Sequence, residues 1–403
     1  MSTAAALDDD TLPLAGLKVL DFSRVLAGPF CTAMFADAGA EVLKVEPFEG
    51  DDYRHMGFQV DGRSTNFAFV NRGKRSLRLD LKRPAAAEVI ARLAAWADVV
   101  VENFKPGVAD RLGIGYAQLS ALNPGLVYCS ISGFGQQGVW SGRPAYDTIV
   151  QALSGLMAAT GDAEGPATVV GESIADVAAG TFSAWGVMAA LWQRTRTGRG
   201  RHLDIAMVDC LLSMMPTLVS RSVAGGVPPM RVGNRHLNSA PFGAFRAADG
   251  VYVLAVANHK LFQQLARVMG TPELAQDARF ASNGLRKRHE AELTQAIEAW
   301  SSPLSVQAVV TALQAHDVPA APVLDVQQAV DSAHAVDRQL VVRRPNAGGG
   351  IDCHIEQPVH FGDLPRGTTS PAPDLGAHTR ATLELLGFGA DDIQRFQNEG
   401  LTA

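Results

Sequence analysis

Short apolar runs alternate with stretches of helical spacing through the first half of the chain. Leu17–Phe22 (LKVLDF) reads as a strand, and Gly28-Pro29 opens a helix that runs to about Ala38. Glu41–Glu46 (EVLKVE) is a second strand. Pro84 sits at a helix start, and the residues after it place Val89, Ile90, Leu93 and Trp96 on one face. Asp98–Val101 and Leu126–Ile131 follow as strands. Strands separated by helices of this length predict right-handed βαβ units and a parallel sheet covered on both faces. An open doubly wound α/β domain, Rossmann-like in its sheet, is the expected architecture.

From Asp147 the pattern turns helical. Tyr146–Ala158 and Ala175–Gln193 are apolar almost all round, which predicts two buried helices. Arg201–Ile205 adds a strand before another apolar helix, Ala206 to about Ser222. Val223–Asn238, rich in Gly, Pro and Arg, marks a connection out of this first domain. Beyond it come a strand at Gly250–Ala257, helices near Lys260–Met269, Arg286–Ser301 and Ser305–His316, and strands near Pro322 and Gln339–Val342. They read as a smaller α+β domain. The tail is helical again over His378–Leu386. The chain therefore divides into a leader, 1–13, a large α/β part, 14–225, a small α+β domain with linkers, 226–335, and a C-terminal segment, 336–403.

Composition narrows the function classes. The formal net charge of −6 argues against a general affinity for nucleic acid or an anionic membrane. Asp8, Asp9 and Asp10 lie in a leader without a basic residue, which fits neither a secretory signal nor a mitochondrial presequence, so a cytoplasmic protein is expected. No run of about 18 apolar residues suggests a membrane span. The four cysteines (Cys31, Cys129, Cys210, Cys353) are far apart and sit among apolar neighbours, so they read as buried structural thiols. The ten histidines form no ligand cluster, and no metal or permanently bound cofactor is expected.

Several segments carry a likeness. LAGLKVLDFSRVLAGPFCTAMFADAGAEVLKVE resembles the opening of the class III coenzyme A transferases, a group that includes formyl-CoA transferases and α-methylacyl-CoA racemases. The match continues through NRGKRSLRLDLK, VVVENFKPGVADRLG, NPGLVYCSISGFGQ, YDTIVQALSGLMAATG and TGRGRHLDIAMVD, and resumes at PDLGAHTRATLELLG. The resemblance implies an interlocked homodimer in which each chain threads through the other, with a large domain built from both chain termini. The implied substrates are acyl-CoA thioesters and carboxylic acids.

The resemblance also implies a nucleophile. In ATGDAEGPATVVGESIAD, Asp176 falls where such transferases carry an aspartate that attacks the thioester carbonyl. On residue pattern alone, Asp176 reads as a first-turn acid that complements a helix dipole. Ala175, Ala178, Ala179 and Gly180 would leave room for the thioester, and amides at a helix start would favour negative charge on Asp176. The related racemases use a His-Asp pair where this chain reads Tyr146-Asp147. A tyrosine with a pKa of about 10 is a poor base for an α-proton, which favours transfer over racemisation.

By the same resemblance, Asn103, Phe104 and Arg111 in VENFKPGVADRLG would meet the CoA nucleotide, and Lys74 and Arg75 would suit its phosphates. On pattern alone those two basic residues read as a solvated turn. Two departures stand out: Pro47 replaces an Arg common in relatives, and Leu26 replaces a Gln. The wording of DFSRVLAGP, NRGKRS and R-x-x-Y-D is similar to the succinyl-CoA-dependent, dicarboxylate-accepting branch. A distal carboxylate needs a cation, and Arg24, Arg72, Arg143, Arg235 and His236 are the candidates, with Tyr146 a further candidate substrate residue.

Overall fold

In the computed structural model, which describes residues 12–226, 230–346, 348–362, 364 and 370–402, six strands form one parallel sheet. They are β1 (Lys18–Asp21), β2 (Glu41–Glu46), β3 (Arg75–Arg78), β4 (Val99–Glu102), β5 (Val127–Ser132) and β6 (His202–Ala206). Their spatial order is β3-β2-β1-β4-β5-β6, with every neighbouring pair parallel. The order reverses between β1 and β4, as in a doubly wound sheet.

Covering both faces explains why successive residues in the middle of the inner strands are apolar, with charged residues such as Asp21 and Glu102 at their carboxyl ends. Val19, Val42, Val99, Val101, Val127 and Cys129 belong to one buried cluster, whereas Leu20, Leu43, Val100 and Tyr128 belong to another. Successive side chains point to opposite faces, so each strand feeds two cores. The helices α1 (Ala27–Asp37), α2 (Thr65–Asn71), α3 (Ala86–Trp96), α4 (Val108–Arg111), α5 (Tyr116–Leu122), α6 (Asp147–Ser154), α7 (Ile174–Thr197) and α8 (Met207–Ser213) punctuate these strands. Residues of α1, α7 and α8 fill the first core, and residues of α3 fill the second. Leu383, Ile393 and Phe396, from helices at Thr379–Leu385 and Ala390–Asn398, complete the second core. The C-terminal segment is thus part of the sheet's own packing; the Arg78 amide donates to Thr379 Oγ1 at 3.1 Å.

Two units share the chain: Met1–Leu156, Val169–Ser220 and Ala333–Ala403 make one, and Met157–Thr168 with Arg221–Ser332 the other. In the second unit, strands Phe242–Ala247, Gly250–Ala255 and Ala320–Pro322 form an antiparallel sheet over a core that includes Phe245, Tyr252, Phe262, Leu293 and Val309. This unit differs from the boundaries 226–335 at both ends. It takes in Met157–Thr168, because the Arg231 guanidinium donates to the carbonyls of Ala158, Asp162 and Gly165. It returns Ala333 onward to the first unit. Of the expected leader, 1–13, residues 1–11 lie outside the described residues.

Several local expectations are corrected. The helix expected over Tyr146–Ala158 breaks at Gly155, whose φ of 88° ends α6. The one expected over Ala206–Ser222 is two, Met207–Ser213 and Pro216–Val223. Neither α2 nor β3 was foreshadowed by periodicity. Cys353 is exposed, unlike the other three cysteines. α7 has the length and apolarity of a membrane span by composition, with half of its most apolar window buried. It is not buried all round: Trp185 and Trp192 are 72% and 67% exposed and Met188 41%.

The face of α7 that packs on α1 is made of small residues. A Cβ built at Gly180 would lie 2.7 Å from the Ala27 carbonyl oxygen and 3.3 Å from the Cys31 nitrogen, so backbone rather than a movable side chain blocks it. Gly180→Val should therefore destabilise the fold by about 1–3 kcal/mol through overpacking, despite removing a helical glycine. Urea denaturation of the purified variant checks this, and a gain in stability would contradict the close approach.

Candidate active site

The carboxyl ends of β1 and β4 meet where the strand order reverses, the place where open α/β sheets bind ligands. Asp21 ends β1 and is fully buried. The Lys74 ammonium donates to Asp21 Oδ2 at 2.9 Å, Asn71 Oδ1 at 2.9 Å and the Pro29 carbonyl at 3.1 Å. Burial alone would raise the Asp21 pKa, but Lys74 and Lys44 overcome it and hold the carboxyl at about 2. Next to this pair, Lys44 Nζ donates to the Ser23 carbonyl at 2.7 Å and pairs with Asp51 at 2.8 Å. Asp51 Oδ1 accepts the amides of Val25 at 2.9 Å and Tyr53 at 3.0 Å. Val25 has a φ of 64°, a left-handed conformation that a β-branched residue adopts only when its surroundings impose it.

From β4, Asn103 closes the same loop. Its Oδ1 accepts the Arg24 amide and its Nδ2 donates to the Arg24 carbonyl, both at 2.8 Å. The loops after β1 and β4 are therefore joined at the reversal point by a two-bond clamp.

Asp176 stands in the first turn of α7. No side chain of the preceding residue caps this helix; Asp147, the first residue of α6, does so from outside. Asp147 Oδ1 accepts the Ala175 amide at 2.6 Å and the Asp176 amide at 3.3 Å. Gln151 holds Asp147 in turn, donating to Oδ2 at 2.6 Å. The amides expected to stabilise charge on Asp176 are thus already engaged by a second carboxylate. Burial, with Asp147 adding to it, raises the Asp176 carboxyl to about 7. A carboxylate of raised basicity is a better nucleophile than an ordinary surface aspartate. Ala175, Ala178 and Ala179 are buried in the core, and Gly180 faces α1, so these small residues make room for the neighbouring helix.

The other sequence-derived candidates fall into three groups. Asn103 and Arg24 come together directly. Phe104 follows them, half-buried against the second core face, and Arg111 is exposed at the end of α4. Lys74 is on no solvated turn: all three ammonium protons have acceptors in the core, leaving none for a phosphate. Arg72 is likewise buried, its Nε on Asp37 Oδ1 at 2.9 Å. Arg75 is exposed and pairs with Glu41 across the edge of the sheet. Arg143 is exposed over the Trp140 ring, 4.8 Å from its centre, and Tyr146 is exposed just before α6. Arg235 and His236 belong to the second unit, where they lie on Phe245 and Phe242 respectively. Asp147 was visible in sequence only as the partner of Tyr146; its capping role needs the fold. Among the described residues, no group of three or more His, Cys, Asp or Glu side chains is placed to hold a metal.

Residues 14–379 match the family model described as CoA-transferase family III. The chain is 42% identical to an acetyl-CoA:oxalate CoA-transferase of Acetobacter aceti, over 84% of this chain and 87% of that protein. It is 36% identical to a succinate–glutarate CoA-transferase of Agrobacterium fabrum, over 93% and 96% respectively. The crystal structure of a CAIB/BAIF family protein from Brucella suis superposes with a TM-score of 0.83 at 36% identity, covering 93% of this chain and 99% of that one.

The raised pKa of Asp176 has a stability consequence with a definite sign. A carboxyl whose pKa is higher folded than unfolded contributes stability below its unfolded value, near 4, and loses it as pH rises through about 7. Asp176→Asn removes the ionisation, so it should stabilise the protein at pH 8 by on the order of 2–4 kcal/mol. The difference should vanish near pH 4. Thermal melting of both proteins across this range checks it; a constant offset would show that the carboxyl is not held neutral in the fold.

Proposed function

The chain belongs to CoA-transferase family III, and we propose that it moves coenzyme A from succinyl-CoA to a dicarboxylic acid through a covalent intermediate on Asp176. The observation that carries the reading is the placement of Asp176: a half-buried carboxyl of raised basicity at a helix start, beside the capping carboxylate of Asp147. Its carboxylate attacks the thioester carbonyl and expels CoA thiolate, leaving a mixed anhydride. The thiolate attacks the aspartyl carbonyl, releases the donor acid and leaves an aspartyl-CoA thioester. The acceptor carboxylate then reverses both steps, so the thioester's energy is conserved and no water takes part.

The nucleotide half of CoA lies against Asn103, Phe104 and Arg111 at the reversal point, which suits a phosphorylated ligand in a doubly wound sheet. For the acceptor's distal carboxylate, Arg24 is the favoured cation. It pairs with Asp52 at 3.1 Å, but its buried Nε has no hydrogen-bond partner among the described residues. Arg72, bound to Asp37, is not available in that way. The relatives named for oxalate and for glutarate support a short dicarboxylic acid as acceptor.

The working unit in this reading is an interlocked homodimer. What supports a second copy is the exposed stripe of Trp185, Met188 and Trp192 along α7, with Ile149 and Leu153 of α6 and Leu212 of α8 exposed as well. An apolar face of this kind is characteristic of a permanent protein interface.

Succinyl-CoA mixed with a panel of mono- and dicarboxylic acids tests the activity, with products read by mass spectrometry. The native enzyme should form new CoA esters of dicarboxylates, and Asp176→Ala should form them at least a thousand-fold more slowly, roughly the loss seen when a covalent nucleophile is removed. Transfer undiminished in Asp176→Ala would refute the nucleophile. Exchange of an α-hydrogen on a branched acyl-CoA without transfer would refute the transferase reading in favour of a racemase. Light scattering should give twice the 42.7 kDa of the chain; a monomer at every concentration would refute the interlocked dimer.

A further inference from the structure

Glu102 is the last residue of β4 and is buried, 2% exposed. No basic side chain among the described residues forms an ion pair with it. Its surroundings are the Ser130 hydroxyl of β5 and the more distant carboxylates of Asp110 in α4 and Asp204 in β6. Burial raises its carboxyl to about 7, against the pull of hydrogen bonds from Ser130 and the Phe104 amide. A carboxyl kept in such a place needs a reason, because an apolar residue would fill the strand end without the desolvation cost.

The reason lies in what it holds. Glu102 Oε2 accepts the Phe104 amide at 2.8 Å, an amide just beyond the strand and outside its ladder. Between these two residues is Asn103, whose side chain clamps the Arg24 peptide. Behind Glu102, Ser130 Oγ is 2.9 Å from His202 Nε2, on β6. Glu102 therefore closes the turn 102–104 from beside Ser130 of β5, while Asn103 fixes it to the loop after β1.

We propose that Glu102 is a positioning residue for the acyl-CoA half of the site: it sets the turn that presents Asn103 and Phe104 to the nucleotide, without touching the substrate itself. This rests on the reading that CoA binds at that turn. Its effect falls on binding of the CoA ester and not on the chemistry at Asp176, which is carried by a different helix.

Glu102→Met keeps the length and volume of the side chain but cannot accept from Phe104. It should raise KM for the acyl-CoA donor, and Kd for free CoA by calorimetry, by about ten-fold. Both kcat and KM for the acceptor acid should stay within about two-fold of the native values. Glu102→Gln, whose amide oxygen still accepts from Phe104 while its nitrogen donates to Ser130, should restore native KM. A general loosening of the fold would lower kcat through a smaller active fraction and would not be rescued selectively in KM. Unchanged KM and Kd in a folded Glu102→Met, or Glu102→Gln behaving like Met, overturns the proposal. Should melting show that Glu102→Met does not fold, Ser130→Ala decides: a rise of about three-fold in donor KM supports the role and an unchanged KM overturns it. Native enzyme that binds no CoA overturns the underlying reading of the site and this proposal together, whereas native binding with an unaffected Met variant overturns this one alone.

Discussion

The Lys74 ammonium, sealed beneath the loop after β1, is the contact on which the site's shape depends. It reaches Asp21 at the end of β1, Pro29 in α1 and Asn71 at the end of α2, so one charge ties three elements together. A charge in the core is tolerated only if each of its protons is satisfied and a counter-ion is present, and both conditions hold here. Thr32 adds a bond to Asp21 Oδ2 at 2.7 Å. With the floor fixed, a second buried pair, Lys44 with Asp51, shapes the loop above it and holds Val25 in its left-handed conformation. The loop's geometry is thus imposed from below by ion pairs and from the side by Asn103. Such a polar network is specific in a way that apolar packing is not, because each oxygen accepts from only a few directions.

A second constraint acts at α7. Its first amides offer a ready place for an anion, and two aspartates compete for it. Asp147 takes the amides, supported by Gln151, and Asp176 is left half-buried beside it, with no hydrogen-bond donor to its carboxyl among the described residues. Two carboxylates in one neighbourhood are divided by environment into a helix cap and a group of raised basicity. This inverts the simpler picture in which the helix dipole stabilises charge on Asp176. A carboxylate made comfortable by the dipole would be a weaker nucleophile.

Much of the sheet was legible because a parallel sheet covered on both faces demands continuous apolar strands, and helices between them demand 3.6-residue spacing. Glu41–Glu46 is a strand to the residue. The charged positions were less legible. Lys74 looks like part of a solvated turn in NRGKRS and Arg72 like a cation free for a substrate, yet their partners, Asp21 and Asp37, lie 53 and 35 positions away. Periodicity reports which side of one element is apolar; it cannot report that two distant charges meet in the core. β3 was missed for the same reason, since RSLR carries charges that an edge strand can hold outside the core. The position of Asp176 rested on likeness to a family. Its capped, carboxylate-paired surroundings required three-dimensional contacts across 28 and 29 residues.

The composition of α7 follows from the three demands placed on one helix. Its first turn carries Asp176, the helix approaches α1 closely, and Gly180 permits that approach against the Ala27 carbonyl. The same face continues through Ala184, Val187 and Leu191 into the first core. A helix so committed on one side has its opposite face left for large apolar groups, and Trp185, Met188 and Trp192 recur there at spacings of three and four. The all-round apolarity that reads from sequence as a buried helix is therefore a sum of two different surfaces. One is small because another backbone must come near; the other is large and, in the single chain, faces outward. Separating them requires knowing where α1 lies, and that is information the linear pattern of α7 does not contain.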